Sequence, residues 1–145
     1  MKKILVIVVL SLLLSGNAYS LNFNQNLGDY EKSNPGDTAT IYVLNRCSGI
    51  LSYVTSLMLK EDTEAALKFN LMTSKFIKFS SLLIAKHNNT SIEDAENISL
   101  NRMMKLEKFY RQDAKEMFLK NGRYLSGILK FDLQFCTGVA NKFFK

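Results

Sequence analysis

The chain reads as an all-α protein, a four-helix up-down bundle whose first and last helices are joined by a disulfide. Three observations carry that reading. After residue 36 the apolar residues recur at spacings of three and four, the period of a helix face, and no alternating strand pattern appears. One proline and seven glycines are too few for many short strands joined by tight turns. The two cysteines, Cys47 and Cys136, fall near the middles of the first and last periodic segments.

The first twenty residues have the layout of a secretory signal peptide. Lys2 and Lys3 form a positive start, Ile4 to Leu14 an apolar run broken only by Ser11, and Ala18 and Ser20 place small residues at the −3 and −1 positions of a cleavage site after Ser20. The run is short for a bilayer span, so the alternative of an uncleaved anchor ranks second. Cleavage would leave 125 residues, remove two lysines and no acid, and lower the net charge from +6 to +4. The expected compartment is the periplasm or the outside of the cell, and the mature chain is expected to contain no transmembrane segment.

Residues 21–36 show neither period, are rich in asparagine and end in the turn signal Asn34-Pro35-Gly36. They are expected to form a flexible N-terminal arm, either a spacer or a partner-binding arm anchored by Phe23, Leu27 and Tyr30. A single helical domain is then expected over 37–145.

The first predicted helix begins at Asp37 or Thr38, good N-cap residues, and carries Val43, Cys47, Ile50, Val54 and Leu57 on one face. Ser48, Gly49, Ser52 and Ser56 make a strip of small residues beside that face, suited to close approach of a neighbouring helix. The second follows Asp62, with Phe69, Met72, Phe76, Phe79 and Leu83 in rhythm, and ends at His87-Asn88-Asn89. Thr90 and Ser91, with Glu93 and Asp94 three residues on, open the third through two overlapping capping-box registers. Its inner stripe is Ile92, Ala95, Met103, Leu106, Tyr110, Ala114 and Met117, and Asn121-Gly122 stops it. The fourth runs from Leu125 or Ser126 to the end, with Leu129, Phe135, Cys136, Val139, Ala140 and Phe143 inward.

In an exported protein two cysteines are normally oxidised. Cys47 and Cys136 would close a loop of 89 residues, and loop-closure entropy for that length is worth roughly 4.5 kcal/mol. Mid-helix cysteines on apolar faces read as structural rather than redox-active. Asp132 lies on or beside the buried stripe of the last helix, where a carboxylate needs a partner. Arg46 flanks Cys47, so an Arg46–Asp132 ion pair beside the bridge is expected; the alternative turns Asp132 to the edge of the stripe and into water.

The composition excludes several functions. Two cysteines rule out a Cys₄ zinc site, and a single histidine rules out any site that needs two imidazoles from one chain. His87 sits in a polar turn after the second helix, where its charge suits the helix dipole. Met58, Met72, Met103, Met104 and Met117 fall singly on core stripes rather than in the clusters of a soft copper site. No metal and no cofactor is therefore expected. A charge of +4 without a recognisable module is no nucleic-acid footprint. Lys105, Lys108, Arg111 and Lys115 read as a solvated face of the third helix, with an anionic surface as the second option.

The signal peptide, Arg46-Cys47-Ser48-Gly49 on the first helix and Asp132 with Cys136 on the last resemble small exported helical proteins of AT-rich bacterial genomes. Cys47-Ser48-Gly49-Ile50-Leu51 also distantly resembles a helix of periplasmic immunity proteins, which neutralise cell-wall-cleaving toxins. The resemblance implies a fold and a compartment. With no catalytic constellation visible, the expected function is non-enzymatic protein binding, as an interaction, inhibitor or immunity-type module. The alternative is a carrier holding a small apolar or anionic ligand between helices, lined by Phe69, Phe76, Phe79, Phe109 and Tyr110. A hydrolase with an unseen site ranks third.

Overall fold

A computed structural model of the chain describes residues 25–125 and 127–144. The expected signal peptide and residues 21–24 of the expected arm lie outside the described residues. Five helices follow one another, and the described residues contain no strand: α1 (Leu27–Ser33), α2 (Asp37–Met58), α3 (Thr63–Asn88), α4 (Ile92–Asn121) and α5 (Gly127–Phe143).

Each long helix starts and stops where its local chemistry dictates. The Asp62 side chain accepts from the Ala65 N–H at 2.9 Å and opens α3. Of the two overlapping capping-box registers the chain uses Ser91 with Asp94: the Ser91 hydroxyl accepts from the Asp94 N–H at 3.0 Å and donates to the Asp94 carboxylate at 2.7 Å. Asn89 and Gly122, in the left-handed region at φ 51° and 70°, end α3 and α4.

Two expectations need correction. Residues 27–33, read as part of a flexible arm, form α1. The Asn26 side chain caps it by accepting from the Asp29 N–H at 3.0 Å, and Leu27 is fully buried. A seven-residue helix is too short to show a period, and its stability comes from docking on α2 and α5 rather than from its own hydrogen bonds. The helix that carries Cys47 is consequently the second in the chain, so the disulfide does not start from the first helix.

The core is built around α2, which packs on all four other helices and is buried on nearly every side. Ile50, Leu51 and Val54 of α2 meet Phe76 of α3, Tyr110 of α4 and Leu129 of α5 around the bridge. A smaller cluster of Ile41, Ile84, Ala85 and Ala95 fills the α3–α4 corner. The strip of small residues on α2 faces α4. A Cβ on Gly49 would stand 2.5 Å from the Leu106 Cβ and 3.1 Å from the Glu107 backbone nitrogen, so the two helices meet there at a spacing only glycine allows. Farther along, the Ser52 hydroxyl donates to Glu107 at 2.7 Å, and Arg111 donates to Ser56 at 3.2 Å and to Glu107 at 2.7 Å.

Candidate functional site

Two features stand out from an ordinary helical core: a buried polar cluster beside the disulfide, and an open apolar cleft. The cluster forms because α2 and α5 are tied together. Cys47 and Cys136 are bonded, with a Cα–Cα distance of 5.3 Å, and both are fully buried. One residue before Cys47 and one helical turn before Cys136, Arg46 and Asp132 are thereby brought face to face. The Arg46 NH2 group stands 2.6 Å from Asp132 Oδ2, and both side chains are wholly buried.

Such a pair survives burial only if its remaining donors and acceptors are satisfied. Arg46 Nε donates to Asp132 Oδ2 at 2.8 Å and to the Tyr110 hydroxyl at 2.9 Å. Its NH1 group donates to the Tyr42 hydroxyl at 3.1 Å and to the Gln25 carbonyl at 3.0 Å. The Tyr110 hydroxyl donates to Asp132 Oδ2 at 2.5 Å, and the Leu27 N–H donates to Oδ1 at 2.9 Å. Helices α2, α4 and α5 and the chain entering α1 therefore converge on one carboxylate and one guanidinium.

The electrostatics follow. Burial pushes the Tyr110 hydroxyl well above the usual phenol range, and the Asp132 charge adds to that. Burial also raises Tyr42, against the opposing pull of Arg46. For Arg46 burial works against the charge, but Tyr110 and Asp132 outweigh it and hold the guanidinium above its ordinary value. The cluster is sealed from solvent and its polar groups are spent on one another. What it can do is hold α2, α4, α5 and the chain entering α1 in register.

Sequence reasoning missed the breadth of this cluster. Spacing alone makes Tyr110 an apolar stripe residue and a ligand-lining ring; the signal for its polar role is that a buried tyrosine hydroxyl needs a partner. It also missed Asn45. Its side-chain oxygen accepts from Ser80 at 3.0 Å and from Ser99 at 2.9 Å, and its amide donates to the Ile41 carbonyl at 2.8 Å, a second buried polar joint linking α2, α3 and α4.

The cleft is the opposite kind of feature. It has a volume of about 580 Å³ and opens between α2, α3 and the end of α5, under the α1–α2 turn. Ala39, Val43 and Leu44 of α2 form the floor; Phe76, Phe79, Leu82 and Leu83 line the α3 side; Val139, Phe143 and Phe144 line the α5 side. Phe144 meets Phe76 edge-on at 5.1 Å and stacks on Phe79 at 5.5 Å. Beyond Phe144 a smaller hollow of about 210 Å³ continues along α3, past Leu71, Met72 and Lys75.

Of the five aromatic residues expected to line a ligand site, Phe76 and Phe79 line the cleft. Phe69 and Phe109 are instead half-buried against the main core, and Tyr110 belongs to the polar cluster. The five do not converge because α4, which carries Phe109 and Tyr110, packs on another side of α2 and contributes no residue to the cleft. Three positions placed on inner stripes, Phe79, Ile92 and Phe143, are in fact 48 %, 51 % and 66 % exposed. His87 is exposed in the last turn of α3. Among the described residues no group of three or more His, Cys, Asp or Glu is placed to hold a metal ion, and no helix is long and apolar enough to cross a membrane. Comparison of the chain with protein-family models, with curated proteins and with solved structures finds no match.

Proposed function

We propose that this chain is an exported, non-enzymatic helical protein that acts by binding a protein partner, as an interaction, inhibitor or immunity-type module, and that the cleft is where it binds. One observation carries the reading: an apolar hollow of about 580 Å³ is flanked by large apolar side chains left in water, with Phe79, Leu82 and Phe143 each more than 45 % exposed. Contiguous exposed apolar surface is costly in an isolated soluble protein and marks interaction sites. The disulfide supports an oxidising compartment. Connections of three to five residues between α2, α3, α4 and α5 support an up-down arrangement of these four helices, which makes a rigid platform.

The test is site-specific photocrosslinking in the intact periplasm, with a crosslinking residue at Phe143 and, as control, at Gln112 on α4. A single adduct of defined mass from position 143 and none from 112 is the expected result. Equal labelling from both positions, or none from either, removes the reading. The carrier alternative rests on the volume itself, which lies in the range of small-ligand sites. It predicts a bound mass of a few hundred daltons in native mass spectrometry.

A further inference from the structure

The face of α3 that borders the cleft is not purely apolar, and its charge is one-sided. At 100° per residue, Leu71, Lys75, Lys78, Phe79, Leu82 and Lys86 fall on one stripe of the helix, and all six are exposed. After Glu64, which pairs with Lys68 at 2.8 Å, α3 contains no acid. The cations reach the cleft's own aromatic wall. Lys75 Nζ lies 5.2 Å from the centre of the Phe144 ring and donates to the Phe144 carbonyl at 3.0 Å; Lys142 Nζ lies 5.3 Å from the centre of the Phe143 ring. Among the described residues that line the cleft the one acid is Glu31, in α1 beside the α1–α2 turn.

We propose that the occupant of the cleft is an amphipathic helix of a partner protein, apolar on the face it buries and acidic along its flank. The inference rests on the binding reading above and names the partner's chemistry. Length argues for a protein segment rather than a small molecule. Leu82 lines the cleft and Leu71 the smaller hollow beyond Phe144; they are eleven positions apart, about 16 Å along the axis, and a small ligand enclosed in the cleft would leave Leu71 in water. About three turns of a partner helix, with anchors at i, i+4, i+7 and i+11, would cover that span. Charge argues for acidic flanks, since lysines interleaved with the apolar anchors steer and orient an oppositely charged segment. A second copy of this chain would present the same cationic stripe and repel it.

The experiment uses the mature protein with its disulfide intact and two synthetic sixteen-residue helical peptides. They share one Leu/Phe face and differ only in carrying Glu or Lys on the flanks; palmitate is the small-molecule probe. Fluorescence anisotropy at low and high salt reads the affinities. The Glu peptide should bind about tenfold tighter than the Lys peptide, and the gap should shrink as salt is raised. The double variant Lys78→Glu/Lys86→Glu changes two exposed positions and leaves the Lys75–Phe144 contact in place. It should lose that preference or reverse it, with an unchanged circular dichroism spectrum. Equal affinity for both peptides would overturn the acidic partner while leaving the cleft as a binding site. Binding of palmitate but of neither peptide would overturn the partner helix and the protein-binding reading together, in favour of the carrier. Binding of none of the three would overturn both.

Discussion

The two ends of α5 treat polar and apolar groups in opposite ways. Near Cys136 a carboxylate, a guanidinium and two phenols are buried and matched to one another. Near Phe143 large apolar side chains are left in water around a hollow that nothing in the described chain fills. Folding alone favours the reverse arrangement, because burying charges costs several kcal/mol each and burying a phenylalanine stabilises by about 1.5–3 kcal/mol. The closed end offsets its cost by tying together three long helices and the chain entering α1. The open end has no such return among the described residues, and that is the physical ground on which the proposed function places binding there and structure at the closed end.

The contrast yields a graded set of outcomes. The largest loss should come from the bridge. Cys47→Ser with Cys136→Ser is expected to destabilise by about 4.5 kcal/mol, measured by urea unfolding, because it frees an 89-residue loop in the unfolded chain. A midpoint equal to that of the oxidised wild type would contradict the structural role of the bond. Next is Asp132→Ala, expected to cost about 3–5 kcal/mol by stranding the buried Arg46 charge. The paired change Arg46→Met/Asp132→Leu should cost clearly less than that single one, since no charge is left uncompensated. If the single and paired changes cost the same, the cluster matters for packing and not for charge.

A smaller and pH-dependent effect belongs to Tyr110. Its hydroxyl is held well above the phenol value of 10.0, so its contribution is complete below that pH and is lost as pH rises toward the higher folded value. Stability should therefore fall in alkali. Tyr110→Phe should be less stable at pH 7 by about 1.5–3 kcal/mol, the worth of a hydrogen bond to a charged group, and should lose less between pH 9 and pH 11 than the wild type does. Parallel stability–pH curves for the two proteins would remove Tyr110 from the explanation.

The smallest stability effect is expected at the cleft. Phe79→Ser and Leu82→Ser change half-exposed side chains and should shift stability by about 0.5 kcal/mol or less, while reducing partner or peptide binding at least tenfold. A large loss of stability with binding intact would make the cleft wall part of the core and erase the contrast between the two ends.

Much of the fold was legible because it rests on local signals. Asp62, Ser91, Asn89 and Gly122 mark helix ends through caps and backbone preferences that involve only neighbouring residues. The closeness of Arg46 and Asp132 was legible for a different reason: two cysteines that are oxidised within one chain have only each other, and joining them brings their sequence neighbours together. Helix α1 was not legible, because Leu27–Ser33 is too short for a period and owes its order to a buried leucine and to the Leu27 N–H bonded to Asp132, more than a hundred residues away. The exposure of Phe79 and Phe143 was hidden as well. Periodicity reports which face of a helix is apolar, and it does not report whether another helix covers that face along its whole length.

The residue sequence by itself determined the helical class, the helix boundaries after residue 36, the choice of bridge and the small-residue strip of α2, since each depends on residue type and spacing along the chain. Only the tertiary structure decided that Tyr42, Tyr110 and the backbone at Gln25 and Leu27 complete the Arg46–Asp132 pair, and that α5 parts from α3 to leave a cleft. Those outcomes depend on where distant helices come to rest, which packing volumes and the fixed length of a disulfide settle together.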